Sequence, residues 1–138
     1  MTTAREIMTP NAECVSSDQT ITEAAEKMRS LDVGSLPICG EDDRLKGMLT
    51  DRDIVVKVIA QGKDPKSYLA GELGGTEVVT VGADDDAHEI LRTMGSHKVR
   101  RLPVIDGHTL VGMVALADVA RALPNTSVGD LMDALTTD

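Results

Sequence analysis

The sequence predicts an α+β fold of two β-α-β-β-α repeats packed about a pseudo-two-fold axis, and three observations predict it. The chain repeats itself, each copy passes through strand and helix periodicities in the same order, and the small sheet of each copy has a bare face that a second copy can cover. The repeat shows as identities. At an offset of 66, Val15, Asp18, Glu23, Met28, Ser30, Val33, Leu36 and Pro37 recur as Val81, Asp84, Glu89, Met94, Ser96, Val99, Leu102 and Pro103. The offset then drops to 65, because the turn after LPVI is one residue shorter than the turn after LPIC, and Leu45, Gly47, Met48 and Asp53 recur as Leu110, Gly112, Met113 and Asp118. A period of this length is too long for the common solenoids and fits two copies of one supersecondary unit.

Each element follows from local pattern. A short β-prone piece, residues 13–15 and again 78–81, opens each copy. Helix starts follow at Asp18 or Thr20 and at Asp84, with apolar residues at helical spacing behind them: Ile21, Ala24, Ala25, Met28 and Leu31, then Ala87, Ile90, Leu91 and Met94. Two short apolar runs come next, SLPIC and RLKGMLT joined by GEDD, matched by RLPVI and LVGMVA joined by DGHT, and the turn-forming joints predict hairpins. A second helix closes each copy, DRDIVVKVIAQG stopped near Gly62 and ADVARAL stopped near Pro124. A small sheet with helices on one face leaves the other face bare, which a second copy can cover. The expected organisation is repeat 1 with its lead-in over 1–65, repeat 2 with its lead-in over 66–124, and a tail over 125–138. AREIM (4–8), AGELG (70–74) and VGDLM (128–132) echo one another. The third echo, in the tail, predicts a lead-in helix without its repeat, docking on this module or on a second subunit.

Composition narrows the function. The chain has one Tyr, no Phe and no Trp, so its core falls to Val, Leu, Ile, Ala and seven Met, and stacking platforms for single-stranded nucleic acid are missing. A formal net charge of −9 repels a phosphate backbone, so no nucleic-acid partner is expected. No apolar run reaches the roughly 20 residues of a membrane span, and MTTAREIMTP lacks the basic start and apolar stretch of a signal peptide; a cytoplasmic protein without a membrane partner is expected.

The most informative stretch is GMLTDRDIV (47–55), whose second version reads GMVALADVA (112–120). Thr50 followed by Asp53 has the form of a capping box, which accounts for both residues structurally. The same arrangement gathers a hydroxyl, free amides and the positive end of a helix dipole, which suit a phosphate, and a carboxylate able to accept from a vicinal diol. A ribose phosphate makes both demands. In the second copy Asp118 remains but Ala115 replaces the capping Thr.

The tandem β-α-β-β-α unit, the LP-apolar-apolar strand and the G-h-h-T-x-x-D-h pattern at 47–54 resemble a pair of CBS domains, a Bateman module. The similarity runs from the MTP at 8–10 to Pro124 and is strongest to short stand-alone CBS pairs of actinobacteria, through MTTAREIM, LPICG and GMLTDRDIV. The resemblance implies a regulatory or stress-response module that binds an adenosine-type ligand (AMP, ADP, ATP or S-adenosylmethionine) in clefts between the repeats. It implies ribose contacts from Asp53, phosphate contacts from Thr50, and cationic partners in Arg100 and Arg101 with Lys98 nearby. Val33, Leu36 and Ile38 are the candidates for an apolar adenine slot, with core packing as their simultaneous role. The opposite cleft would combine Asp118 and Ala115 with Gly34 and Ser35. With Ala115 in place of the capping Thr and no cation from Gly34 or Ser35, it is expected to bind an anion weakly.

Other features carry less. Cys14 and Cys39, in a chain expected to be intracellular, read as reduced packing residues; the alternative is a disulfide between neighbouring strands, contributing ~3 kcal/mol. His88, His97 and His108 are scattered without metal-ligand spacing, and no nucleophile elbow, P-loop or dinucleotide fingerprint occurs. The sequence therefore predicts no enzyme, no required cofactor and no metal. It predicts an adenosine sensor, dimerising through apolar helix faces such as Ile54, Val55, Val58 and Ile59 and acting on an effector protein in trans. The alternative is a rigid structural or protein-interaction homodimer with a vestigial nucleotide site.

Overall fold

The structure, a computed structural model, describes residues 2–73 and 78–123. Two compact units share the chain, one holding residues 13–73 with 78 and the other 2–12 with 79–123.

In the first unit, β2 (Val15–Ser16) lies parallel to β3 (Ser35–Cys39), which pairs antiparallel with β4 (Leu45–Thr50). The helix α2 (Ile21–Leu31) connects β2 to β3 and buries Ile21, Ala24 and Met28. Its N-cap is Thr20, whose side chain accepts from the Glu23 amide while the Glu23 carboxylate accepts from the Thr20 amide, so that two otherwise unpaired donors are satisfied. Asp32, in the left-handed region at φ 56°, ends the helix. The core joins Val15, Ile21, Met28, Leu36, Ile38, Leu49 and Val58.

The other unit repeats this order. β5 (Val81–Gly82) is parallel to β6 (Arg101–Asp106), β6 is antiparallel to β7 (Thr109–Ala115), and α5 (Ala87–His97) crosses between β5 and β6. The helix begins at Asp86, the position equivalent to Thr20, and not at Asp84. Register shifts fall between Ile38 and Cys39 and between Val104 and Ile105, equivalent places in the two hairpins. Ile90, Met94, Leu102, Val104, Val114 and Val119 form its core. α6 (Leu116–Ala122) closes the unit. The expected stop at Pro124 and the VGDLM tail lie outside the described residues.

The lead-ins depart from the sequence expectation, which assigned each to the repeat that follows it. The first lead-in, α1 (Ala4–Ile7) with β1 (Thr9–Pro10), packs in the unit of the second repeat, where β1 forms an edge antiparallel to β7. Ala4 donates to the Asp85 carbonyl at 2.9 Å, Arg5 to Ala83 at 2.8 Å, and Ala87 donates to Thr2 at 2.9 Å. The second lead-in, α4 (Ala70–Leu73), makes the equivalent bonds in the unit of the first repeat: Ala70 to Gln19 at 2.8 Å, Gly71 to Ser17 at 3.0 Å, and Ile21 to Tyr68 at 2.9 Å. Each lead-in thus supplies partners to amides and carbonyls at the helix start of the other repeat, groups that would otherwise be unpaired.

Candidate functional site

Thr50 ends β4 in extended conformation and caps the helix that follows. Its Oγ1 accepts from the Asp53 amide at 3.0 Å, and Asp53 Oδ2 accepts from the Thr50 amide at 3.0 Å. The capping box read from the sequence is therefore present. The Asp51 amide donates to the Gly34 carbonyl at 2.9 Å and Ser35 faces Thr50 in the ladder, so the turn before LP is tied to the start of this helix. One α turn, α3 (Asp51–Asp53), runs directly into a π-helical stretch, Ile54–Ile59, closed by a bond from the Ala60 amide to Val55. The stretch is dominated by β-branched residues, weak α-helix formers. Val58 is buried there, while Val55, Val56 and Ile59 are exposed at 59%, 42% and 55%.

With Oδ2 bound to the Thr50 amide, Asp53 turns Oδ1 outward, where Lys57 Nζ pairs with it at 3.3 Å. Lys57 was not among the residues singled out from sequence, although its i,i+4 spacing from Asp53 is the signal that would have found it. The second repeat has a reduced version. Asp118 Oδ2 accepts from the Ala115 amide at 2.8 Å, but Ala115 has no oxygen to return the bond, and Asp118 Oδ1 pairs with Arg121 at 2.6 Å.

Arg100, Arg101 and Lys98 lie in the unit of the second repeat, all exposed. Lys98 ends α5 in the left-handed region at φ 54°. The Arg100 carbonyl accepts from the Leu116 amide at 2.8 Å and Arg101 faces Ala115 in the ladder, the counterparts of Gly34 and Ser35. Among the described residues, neither Arg100 nor Arg101 forms an ion pair with a carboxylate. Leu36 and Ile38, the candidates for an adenine slot, are at 3% and 0% exposure within the core, and Val33 packs against it half-buried. Their side chains are thus core, and only Val33 keeps an accessible face.

Cys14 and Cys39 are joined by a disulfide with a Cα separation of 5.7 Å, so the reading of both as reduced packing residues gives way to the alternative. β2 and β3 are neighbours, which brings the two residues within the span a disulfide requires. Among the described residues, no group of three His, Cys, Asp or Glu side chains is placed to hold a metal ion, and no helix is long and apolar enough to cross a membrane.

The sequence model of the CBS domain matches residues 4–60 and 70–125. The chain belongs to the CBS-domain family. This CBS pair is 50% identical to hypoxic response protein 1 of Mycobacterium tuberculosis over 135 residues, which cover 98% of this chain and 94% of the relative. A crystal structure of hypoxic response protein I with two coordinated zinc ions superposes with a TM-score of 0.83 at 54% identity, covering 89% of this chain and all of that one (100%). A crystal structure of CBSX2 in complex with AMP gives a TM-score of 0.77 at 25% identity over 88% of this chain and 96% of that one.

Proposed function

We propose that this CBS pair is a non-catalytic regulatory module that binds one adenosine nucleotide per chain. Asp53 would accept from the ribose hydroxyls through Oδ1, displacing the exposed Lys57 ammonium. Thr50, Arg100 and Arg101, with Lys98, would meet the phosphates. The observation that carries this reading is the pair of exposed guanidinium groups without a carboxylate partner among the described residues, in a chain whose Asp and Glu number 23 against 14 Lys and Arg. In so acidic a chain, two neighbouring arginines without an acid partner among the described residues suit an anionic ligand. The AMP held by CBSX2 supports the same ligand class. Asp118 is the weaker counterpart, since Ala115 gives it no hydroxyl and Gly34 and Ser35 stand where the other repeat has Arg100 and Arg101.

Calorimetric titration with AMP, ATP and S-adenosylmethionine tests the proposal. The expected result is saturable binding at one site per chain, weakened about tenfold or more by Asp53→Asn and by Arg101→Ala and little changed by Asp118→Asn. Absence of heat with all three would favour a structural dimer with a vestigial site.

That second reading has its own observation. Val55, Val56 and Ile59 expose apolar surface, and Ile59 borders an open hollow of about 310 Å³ together with Ala25, Glu26, Arg29, Ile54 and Pro65. Glu26 and Arg29 on one rim allow a two-fold copy to pair acid with base in both directions. Sedimentation of Ile59→Glu tests this face: a shift from dimer to monomer is expected.

A further inference from the structure

We propose that Cys14–Cys39 is a reversible dithiol–disulfide couple that sets how firmly the edge strand β2 is held, a redox-responsive lock confined to the first repeat. The internal repeat supplies the comparison. At the offset of 66 the partners of Cys14 and Cys39 are Thr80 and Ile105, which cannot bond. Yet β5 lies parallel to β6 in the register β2 takes with β3: Val81 faces Val104 where Val15 faces Ile38. The next bond is also shared, since the Ser17 amide donates to Cys39 at 3.0 Å and the Ala83 amide to Ile105 at 2.9 Å. The fold therefore closes without a covalent tie, and the disulfide is an addition to one of two otherwise equivalent strands.

The tied strand is short enough to respond. β2 has two residues at the edge of its sheet, and with the disulfide reduced it would keep two ladder pairs and the burial of Val15. The disulfide is also approachable from one side, because Cys14 is half-buried whereas Cys39 is buried. Lys27 donates to the Cys14 carbonyl at 2.7 Å, placing a positive charge beside Cys14 that favours the approach of an anionic thiolate. A dithiol reductant would attack the Cys14 sulfur, expelling Cys39 as a thiolate that takes up a proton. The reductant's second thiol then displaces Cys14 and closes the reductant's own disulfide, so two electrons and two protons pass to the protein. A structural disulfide resists such exchange, while a regulatory one undergoes it in the folded state.

The test uses the whole oxidised chain without denaturant, treated with dithiothreitol and then with oxidised glutathione. Thiols are counted, circular dichroism is recorded, and amide exchange at Ser17 and Ala83 is followed by NMR. The expected result is two thiols per chain after reduction, unchanged secondary structure, Ser17 exchange faster by about tenfold or more, Ala83 within about twofold, and recovery on reoxidation. A bond that withstands dithiothreitol until the protein is denatured overturns the proposal. So does reduction that leaves Ser17 unchanged, or that accelerates Ala83 as well. The double variant Cys14→Thr with Cys39→Ile carries the second repeat's pair, and is expected to fold and to exchange Ser17 at the reduced rate. Exchange at the oxidised rate in that variant would equally remove the lock.

Discussion

Thr50 and Asp53 bond each other twice, hydroxyl to amide and carboxylate to amide, each at 3.0 Å. Ala115 and Asp118 manage only the second of these, at 2.8 Å. What Thr50 provides, then, is an acceptor for the Asp53 amide as well as a hydroxyl beside the carboxylate. Thr50→Ala is expected to lower stability by ~1 kcal/mol and Ala115→Thr to raise it by a similar amount, both read from urea denaturation midpoints. Equal midpoints for both variants and the parent would contradict the capping account.

β1 passes close over Gly112. A Cβ there would meet Met8 Sδ at 2.5 Å and the Thr9 carbonyl oxygen at 2.6 Å. The sulfur can swing aside, but the carbonyl is backbone in a paired strand. Gly112→Ala is expected to destabilise by ~1–3 kcal/mol and to speed exchange of the Asn11 amide, which donates to Val111 at 3.2 Å.

The Thr20 amide, then the Gln19 side chain and the Thr20 hydroxyl, hold the Glu23 carboxyl below its ordinary range. A carboxylate depressed on folding contributes stability above its unfolded pKa and loses it as pH falls through the folded value. The contribution of Glu23 should thus be constant near neutrality and fade below about pH 4.3. Asp42, lowered first by the Arg44 amide, titrates in the same direction, so the difference between parent and Glu23→Gln isolates Glu23. That difference in urea midpoint is expected to shrink as pH is taken from about 6 to about 3. A constant difference would count against the cap.

Ile38 sits at 0% exposure between α2 and its sheet neighbours. Ile38→Ala is expected to lower stability by ~2–5 kcal/mol through the cavity it leaves. Because Ile38 is core, any nucleotide affinity that survives in the folded fraction should be close to that of the parent. A large loss of affinity with unchanged stability would return Ile38 to the ligand.

The repeat, its strand and helix order, both hairpins and the Thr50–Asp53 box were legible in the sequence because near neighbours along the chain decide them. Thr20 caps through Glu23 three residues on, and the short apolar run RLKGMLT behind its turn GEDD needs no distant partner to be read. Asp53 was legible as a site candidate for a similar reason, lying in the short motif TDRD, whereas Arg101 became one only through the resemblance to CBS pairs. The pairing of Lys57 with Asp53 has a local signal too, in its i,i+4 spacing. The disulfide was readable only as one of two alternatives, since pairing depends on β2 and β3 being neighbours.

Which repeat a lead-in packs with could not be decided from local pattern. AREI and AGEL carry the same signal, and their hydrogen bonds run to Asp85 and Ala83 in one case and to Gln19 and Ser17 in the other, partners some fifty to eighty positions away. Every potential partner has an equivalent 66 residues off, so the sequence offers two near-identical docking sites for each lead-in. The sequence by itself determined the repeating unit and the chemistry at its turns. Tertiary structure alone decided the exchange of lead-ins, because it depends on hydrogen bonds to residues remote in the chain.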